Sequence, residues 1–138
     1  MANEVFVDTS FVIALINDKD QYHAAAQKLA DKYLRKNLIT TDAILLEIGN
    51  ALAKNFRMEA IETIKTLRNS PKTIVIEITG DLLENLFEKG FEIYEKYDDK
   101  DWGLVDCISF ALMWQREISE VLTFDDDFKQ AGFVILKD

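Results

Sequence analysis

The stretch VFVDTS, residues 5–10, decides the fold class of this chain. Its three apolar residues predict a short buried strand, and the polar cluster Asp8-Thr9-Ser10 that follows is typical of residues that cap a helix. Residues 11–16 are all apolar, which predicts a short helix packed into a core. A strand that leads directly into a helix indicates an α/β fold.

The same alternation of strand and helix patterns continues along the chain. Further strands are predicted at residues 38–40, 73–78, 121–123 and 133–136. Helices are predicted at residues 22–36, 42–54, 58–69, 80–97 and 103–117, with a short helix or turn at 125–131. Short apolar strands between helices indicate a mostly parallel sheet that is covered on both faces. We therefore expect residues 1–138 to form one three-layer α/β/α domain with a mostly parallel central sheet of about five short strands.

The composition is that of a folded protein that does not bind nucleic acid through charge alone. Hydrophobic residues make up 49% of the 138 residues, which is enough for the core of one domain. Twenty-five acidic and sixteen basic side chains give a net charge of −9, which argues against a protein that coats nucleic acid electrostatically. A nucleic-acid enzyme stays open, because metal ions bound to acidic ligands reverse the local sign of the field.

The sequence also indicates a cellular setting. Cys107 is the single cysteine, so an intrachain disulfide is excluded and a reducing environment is expected. The first residues lack the basic and apolar regions of a signal peptide. No stretch of the sequence approaches the roughly 18 uncharged apolar residues of a membrane span. We therefore expect a cytoplasmic protein that does not associate with membranes.

Two acidic residues follow predicted strands, at the edge where parallel sheets bind ligands. Asp8 follows the first strand, although it could instead cap the next helix, and the sequence leaves these interpretations evenly balanced. Asp125 follows the strand at 121–123 and begins a run of three aspartates, a pattern that is also usual in a solvated turn. Asp127 could point to the same side as Asp125, whereas we expect Asp126 to face solvent.

Two other acidic residues lie on apolar surfaces of predicted helices. Glu47 comes three residues after Ile44 and four before Ala51, so it projects from the apolar face of its helix. The alternative is a salt bridge to Lys54 or to a distant arginine. Asp106 is the only charged residue between Trp102 and Trp114, in a helix that should be buried. A carboxylate in such a place needs a partner, a proton or a cation, although free N–H groups of the first helical turn could also serve Asp106.

Together these carboxylates predict a metal site made of oxygen ligands. Oxygen ligands suit Mg²⁺ or Mn²⁺, whereas zinc prefers nitrogen and sulfur, and one His and one Cys make a structural zinc site very improbable. Two such ions could clamp the attacking and leaving oxygens of a phosphodiester, and a metal also helps to generate hydroxide. We expect Asp8 and Asp106 to hold the principal metal, and Glu47 and Asp125 to complete the site. His23 is expected to be an ordinary surface residue.

The sequence resembles the PIN-domain ribonucleases, and most closely the VapC-like toxins of prokaryotic toxin–antitoxin pairs. The resemblance rests on five short motifs, which occur in the order and spacing of the family across essentially the whole chain: residues 5–10, 44–52, 104–110, 122–128 and 131–133. Each motif by itself is moderately specific, and all of them in order are quite specific.

The resemblance implies an endoribonuclease that depends on Mg²⁺ or Mn²⁺. Its catalytic and metal-binding residues would be Asp8, Glu47, Asp106 and Asp125. Ser10 and Thr123 match polar positions that support the site in the family, and Asp127 matches a position that is often acidic or His. The resemblance also implies an RNA substrate, a homodimer and a small antitoxin protein that blocks the site.

Three other functions are weighed against this one. Haloacid-dehalogenase-like phosphatases also place an Asp after the first strand, but they use a second Asp two residues later, where this chain has Ser10. A response-regulator receiver expects paired acids near the first strand and a lysine after a late strand, which we cannot find here. A third alternative is a catalytically inactive PIN-like module that binds a protein partner, and the sequence leaves this alternative open.

Overall fold

The computed structural model describes residues 4–79 and 85–138 of the protein. In these residues the chain forms five strands: β1 Glu4–Val7, β2 Asn37–Thr41, β3 Thr73–Ile76, β4 Glu120–Leu122 and β5 Val134–Ile135. They make one sheet in the order β3-β2-β1-β4-β5, and every neighbouring pair is parallel. The expected parallel sheet of five short strands is therefore confirmed.

Helices connect the strands, as parallel pairing requires. In the described residues they are α1 Thr9–Ile16, α2 His23–Tyr33, α3 Asp42–Ala51, α4 Arg57–Asn69, α5 Leu86–Lys96, α6 Leu104–Arg116 and α7 Asp127–Gln130. Among them, none has the length and hydrophobicity that crossing a bilayer requires.

Strand β1 lies in the middle of the sheet and is buried on both faces. Val5 and Phe6 are 0% exposed and Val7 is 2% exposed. Because successive side chains of a strand point to opposite faces of the sheet, burial of all three means that both faces are covered. This burial confirms the predicted α/β/α layering.

The strand order creates a crevice between β1 and β4. The chain runs from β1 to β2 and β3 on one side of the sheet, then crosses to β4 and β5 on the other side. At the carboxyl end of this pair, the Asp8 N–H donates a 3.1 Å hydrogen bond to the Leu122 carbonyl. Open α/β sheets bind ligands where the strand order reverses in this way.

Helix α6 is deeply packed, which fixes the position of its first turn. Its residues 107–113 are all buried. The ring of Phe110 lies 4.9 Å from that of Phe128 and 5.1 Å from that of Trp102. Helix α5 approaches α6 closely at Gly90, where an added Cβ would lie only 2.7 Å from the Ile108 Cα. Only glycine fits at that contact without displacement of one helix.

Most predicted element boundaries differ from the observed ones by one to three residues. Helix α1 begins at Thr9 rather than at residue 11, because the extended backbone of Asp8 occupies the N-cap position. Helix α5 is described from Leu86, where the Asn85 side chain accepts a 3.2 Å hydrogen bond from the Glu88 N–H. Asn85 followed by Glu88 three residues later is a recognisable start signal. The start predicted at residue 80 lies outside the described residues.

Candidate active site

Asp8 is a buried carboxylate that lies directly after β1. It is 4% exposed, and its Oδ2 accepts hydrogen bonds from Thr123 Oγ1 at 2.7 Å and from Ser10 Oγ at 2.9 Å. Although Asp8 occupies the N-cap position of α1, its side chain makes no capping hydrogen bond. Helix capping therefore does not explain the presence of an aspartate at this position. Burial raises the pKa of Asp8, while the two hydroxyl donors act in the opposite direction.

The two hydroxyl groups are arranged so that they donate to Asp8. Ser10 Oγ accepts the Phe124 N–H at 2.9 Å, and Thr123 Oγ1 accepts the Asp125 N–H at 3.0 Å. The two hydroxyl oxygens also lie 2.9 Å apart, so three short contacts share only two hydroxyl protons. An ionised Asp8 that receives both protons satisfies this arrangement. The geometry agrees with a supporting role for Ser10 and Thr123, which stays a prediction.

Glu47 projects from α3 and is held by a hydroxyl group instead of a cation. Its Oε1 accepts a 2.6 Å hydrogen bond from Thr9 Oγ1. The ion pairs found in the described residues join Lys28 to Asp138, Lys100 to Asp99 and Arg116 to Glu4. The alternative of a salt bridge from Glu47 is therefore wrong. Thr9 is a site residue that we missed, because its place in the Asp8-Thr9-Ser10 cluster suggested only helix capping.

Asp106 lies in the first turn of α6 and is half-buried among other carboxylates. Its pKa is raised to about 8, first by burial and then by the negative charges of Asp8, Asp125, Asp127 and Glu47. A carboxyl group in this position is costly to ionise without a counter-charge. The cost of burying this charge, which distinguishes Asp106 in the sequence, is therefore present in the folded chain.

Asp125 and Asp127 bring two further carboxylates to the same place. The Asp125 Oδ1 accepts a 2.9 Å hydrogen bond from the Asp127 N–H, which forms a tight turn at the start of α7. Carboxylate oxygens of Asp106, Asp125 and Asp127 all lie within 4.8 Å of one another. Burial and the neighbouring Asp125 raise the pKa of Asp127. Asp126 is exposed, as expected for the middle residue of the run.

The carboxylates expected from the sequence line one open cleft of about 580 Å³. Asn50 also lines it and was not selected from the sequence, although it lies three residues after Glu47 and so one turn along the same helix face. Among the described residues that line it, none is a cation. They are Asp8, Thr9, Ser10, Ile13, Glu47, Asn50, Ala51, Asp106 and Asp125.

The donor set fits a hard divalent cation and not a thiol or imidazole site. Carboxylate oxygens are the ligands that Mg²⁺ and Mn²⁺ prefer. The buried Cys107 thiol has its pKa raised to about 11, chiefly by burial, so it is neither a ligand nor a nucleophile at neutral pH. His23 is partly buried, and its Nδ1 lies 2.8 Å from the Ala14 carbonyl oxygen. That His23 is an ordinary surface residue stays a prediction, and its partly exposed ring also links α2 to α1.

A parallel sheet with carboxylates where its strand order reverses indicates an α/β domain with a metal site. Comparison with known proteins shows which family of such domains this chain belongs to. The profile of the PIN domain family matches residues 5–134, and the chain belongs to this family. Two relatives are the 23S rRNA-specific endonucleases VapC20 of two Mycobacterium tuberculosis strains, CDC 1551 / Oshkosh and ATCC 25618 / H37Rv. Each is 34% identical over 131 residues, which cover 94% of this chain and 95% of the relative.

A solved structure shows the same fold. The crystal structure of Mycobacterium tuberculosis VapC20, described as a sarcin–ricin loop cleaving toxin, superposes with a TM-score of 0.85 at 30% sequence identity. The match covers 97% of this chain and 99% of that one. The resemblance to PIN-domain, VapC-like proteins is thereby confirmed.

Proposed function

We propose that this protein is a divalent-metal-dependent endoribonuclease and the toxin of a type II toxin–antitoxin pair. The observation that carries the proposal is the cleft at the β1–β4 switch point, where Asp8, Glu47, Asp106 and Asp125 converge and the described part of the chain supplies no cation to the lining. So many carboxylates at one site need a counter-charge, and bound metal supplies it. The family and the 34% identity to ribosomal RNA endonucleases support RNA as the substrate.

We propose the sarcin–ricin loop of 23S rRNA as the target. The VapC20 structure described as cleaving this loop matches nearly the whole chain with a TM-score of 0.85, so the scaffold around the cleft is shared. Sequence-specific proteins recognise RNA mostly at loops and other unpaired regions, whose bases can be splayed out. An open cleft of about 580 Å³ admits such a strand.

The metal would be held by Asp106, Asp125 and Asp127, whose oxygens lie within 4.8 Å, with Asp8 and Glu47 beside them. This grouping gives Asp127 a more central role than its sequence position suggested. When bound, Mg²⁺ or Mn²⁺ lowers the pKa of water and neutralises charge on the phosphate. The hydroxyl groups of Ser10 and Thr123 favour the ionised form of Asp8 against the rise in pKa that burial causes, and the ionised form is the one that a cation binds.

Hydrolysis then needs a group that orients the attacking water and a base that accepts its proton, and Glu47 supplies both. The 2.6 Å bond from Thr9 fixes one oxygen of Glu47, so the carboxylate can accept a proton from water in the cleft. The water oxygen forms a bond to phosphorus while Glu47 takes the proton of the water, the phosphorus–oxygen bond to the leaving ribose oxygen breaks, and that oxygen takes up a proton from solvent. Asn50, one turn further along α3, is placed to donate a hydrogen bond to a phosphate oxygen.

The proposal is tested by incubating the purified protein with a synthetic sarcin–ricin loop RNA in Mg²⁺, in Mn²⁺ or in EDTA. We expect specific cleavage that requires the metal, and a loss of at least about 100-fold in rate for Asp8→Asn and Asp106→Asn. Glu95→Gln, which changes an exposed acid on α5, is the control and should cleave like the parent protein. Circular dichroism melts verify that each variant is folded. Parent-like cleavage by Asp106→Asn would refute the site assignment.

A binding module without activity is the second candidate, and the same assay separates it. The absence of cleavage of any RNA by folded, antitoxin-free protein would favour that module.

The other two alternatives, a phosphatase of the haloacid-dehalogenase type and a response-regulator receiver, have less structural support. Asp8 is 4% exposed and bonded to two hydroxyl groups, so it is badly placed to attack a phosphate as phosphatases of the haloacid-dehalogenase type require. A receiver has the strand order 2-1-3-4-5, which differs from the order found here.

Protein partners are part of the proposal. Leu46 on α3 and Met58 on α4 are 71% and 66% exposed, and large apolar side chains in solvent support a protein contact at these two helices. We propose that a small antitoxin binds there and that the protein forms a homodimer. Co-purification with the product of the adjacent gene, followed by loss of RNA cleavage, tests the antitoxin. Sedimentation velocity of the protein alone tests the dimer, and a monomer at micromolar concentration would refute it.

A further inference from the structure

A second pocket, of about 510 Å³, lies beside the acidic cleft. The segment from Thr123 to Asp126 forms the wall between the two. Asp125 lines the acidic cleft, whereas Phe124 and Asp126 line the second pocket. Thr123 also lines the second pocket, while its hydroxyl donates to Asp8 on the side of the cleft. A chain that occupies the cleft can therefore extend into the second pocket past a single short segment.

An aromatic platform forms one side of this second pocket. The rings of Tyr22 and Phe124 stack with centroids 4.6 Å apart and an interplanar angle of 4°. Phe124 in turn stacks on Phe11, which is 1% exposed and belongs to the core. Tyr22, the outer ring, is 42% exposed. An aromatic ring that is anchored on one face and open to solvent is the kind of surface on which unpaired bases stack.

The second pocket also has ammonium groups in its lining. Lys129 and Lys137 line it together with Asp126 and Asp138, whereas no cation is found among the described residues that line the cleft. Lys129 lies on α7, two residues after Asp127, and is exposed. Neither lysine takes part in the ion pairs found in the described residues. Ammonium groups pair with phosphate as point charges, and in this pocket they balance the two carboxylates that also line it.

We propose that the second pocket holds a nucleotide adjoining the scissile phosphodiester, with its base stacked on Tyr22 and its phosphate paired with Lys129. This inference rests on the proposed ribonuclease function and names a substrate subsite within it. The pocket also reaches the edge strand β5, where Val134 is 54% exposed, and an edge strand can pair with a segment of another protein. The stacked rings, the lysines and the shared wall with the cleft favour a nucleotide over a peptide.

The test uses the complete protein and a fluorescent sarcin–ricin loop RNA. Binding is measured by anisotropy in Ca²⁺, and cleavage is measured separately in Mg²⁺ or Mn²⁺. We expect Tyr22→Leu to weaken binding and raise KM by about 5-fold to 150-fold, the loss of one stacked base, with kcat little changed. Tyr22→Phe should behave like the parent protein, because it retains the stacking ring. Lys129→Gln should also raise KM and should reduce the salt dependence of binding.

Matched controls separate this subsite from general surface effects. Tyr94→Leu removes an aromatic ring of similar exposure, 46%, from α5, and Lys65→Gln removes an exposed charge from α4. Neither should change KM. Thermal melts verify that Tyr22→Leu is folded, and Lys129→Gln, an exposed substitution, gives an independent readout.

The outcomes for the subsite and for the ribonuclease function are distinct. If folded Tyr22→Leu and Lys129→Gln bind and cleave the RNA like the parent protein, the subsite is refuted, and a protein segment becomes the better occupant of the second pocket. If the parent protein binds the RNA in a Tyr22-dependent manner but cleaves nothing in Mg²⁺ or Mn²⁺, the ribonuclease function is refuted and the pocket stands as an RNA-binding site.

Discussion

Thr123 donates its hydroxyl proton to Oδ2 of Asp8 over 2.7 Å, across 115 residues of sequence. The bond joins the ends of the adjacent strands β1 and β4, so it sets the position of the acidic cleft relative to the sheet. The same hydroxyl accepts the Asp125 N–H, which connects Asp8 to the turn that carries Asp125 and Asp127. A hydroxyl group without charge thereby aligns three carboxylates.

Replacement of this hydroxyl should weaken metal binding while the fold is retained. Thr123→Val preserves the side-chain shape but removes the donor to Asp8 and the acceptor for the Asp125 N–H. We expect the dissociation constant for Mn²⁺ to rise by about 10-fold to 100-fold, as is usual when a group that orients a metal ligand is lost. Isothermal titration calorimetry measures the change, and Thr123→Ser should restore near-parent affinity. An unchanged affinity in Thr123→Val would exclude the orienting role.

The run of three aspartates offers a direct comparison of neighbours. Carboxylate oxygens of Asp127, Asp106 and Asp125 lie within 4.8 Å of one another, whereas Asp126 is exposed and does not belong to this group. We expect Asp127→Asn to weaken Mn²⁺ binding by about 10-fold or more and Asp126→Asn to leave it within about twofold. Calorimetry at one pH measures both. Equal effects of the two substitutions would mean that only general negative charge matters, and Asp127 would lose its place in the metal site.

The stability of the metal-free protein should fall as the pH rises, because of Asp106. Its pKa is about 8 in the folded chain and 3.8 in the reference state, so between these values the folded protein retains a proton that the unfolded chain releases. Stability then decreases with pH across this window, and its loss is complete only above about pH 8. Asp106→Asn should abolish this part of the slope.

Thermal melts in EDTA between pH 5 and about pH 8.5 test this dependence. The parent protein should lose more melting temperature over the range than Asp106→Asn does. Mg²⁺ or Mn²⁺ should reverse the loss, with the largest effect at high pH, because the metal binds the ionised carboxylate. Parallel pH profiles for the two proteins in EDTA would contradict the raised pKa of Asp106.

Replacement by alanine at two helical glycines should change the free energy of unfolding in opposite directions. Gly90→Ala introduces a Cβ only 2.7 Å from the Ile108 Cα, so we expect a loss of about 1–3 kcal/mol in the free energy of unfolding as α5 and α6 separate. Gly49→Ala meets only the Ile64 Cδ1, at 3.8 Å, and should stabilise α3 by about 0.5–1 kcal/mol. Urea denaturation measures both. A neutral Gly90→Ala would show that α5 and α6 can move apart without cost.

Much of the fold was predictable because the local sequence patterns agree with the structure that the whole chain adopts. The apolar residues of β1 and the apolar length of α6 indicated burial, and both are buried. Boundaries were less predictable, since the capping Asn85 and the extended Asp8 act on single residues. That residues 1–138 form a single domain stays a prediction, as do the catalytic roles of Asp8, Glu47, Asp106 and Asp125.

The contacts that organise the site could not be predicted, because they join distant parts of the chain. The Thr9–Glu47 bond spans 38 residues, and each partner has an ordinary local explanation. The closeness of Asp127 to Asp106 depends on the turn at the start of α7, whose direction the aspartate run does not specify. The stacking of Tyr22 on Phe124 likewise depends on the packing of α2 against the end of β4.

The sequence by itself determined the chemistry available to this protein. An uncompensated charge is costly on an apolar helix face, and this cost distinguished Glu47 and Asp106 from the other acids of a chain with a net charge of −9. Only the tertiary structure decided which acids meet. Apolar strand patterns do not encode strand order, and it is the pairing of β1 with β4 that brings Asp8 beside Thr123 and Asp125. The sequence thus specifies which residues can form the acidic cleft, and the strand order of the sheet brings them together in one site.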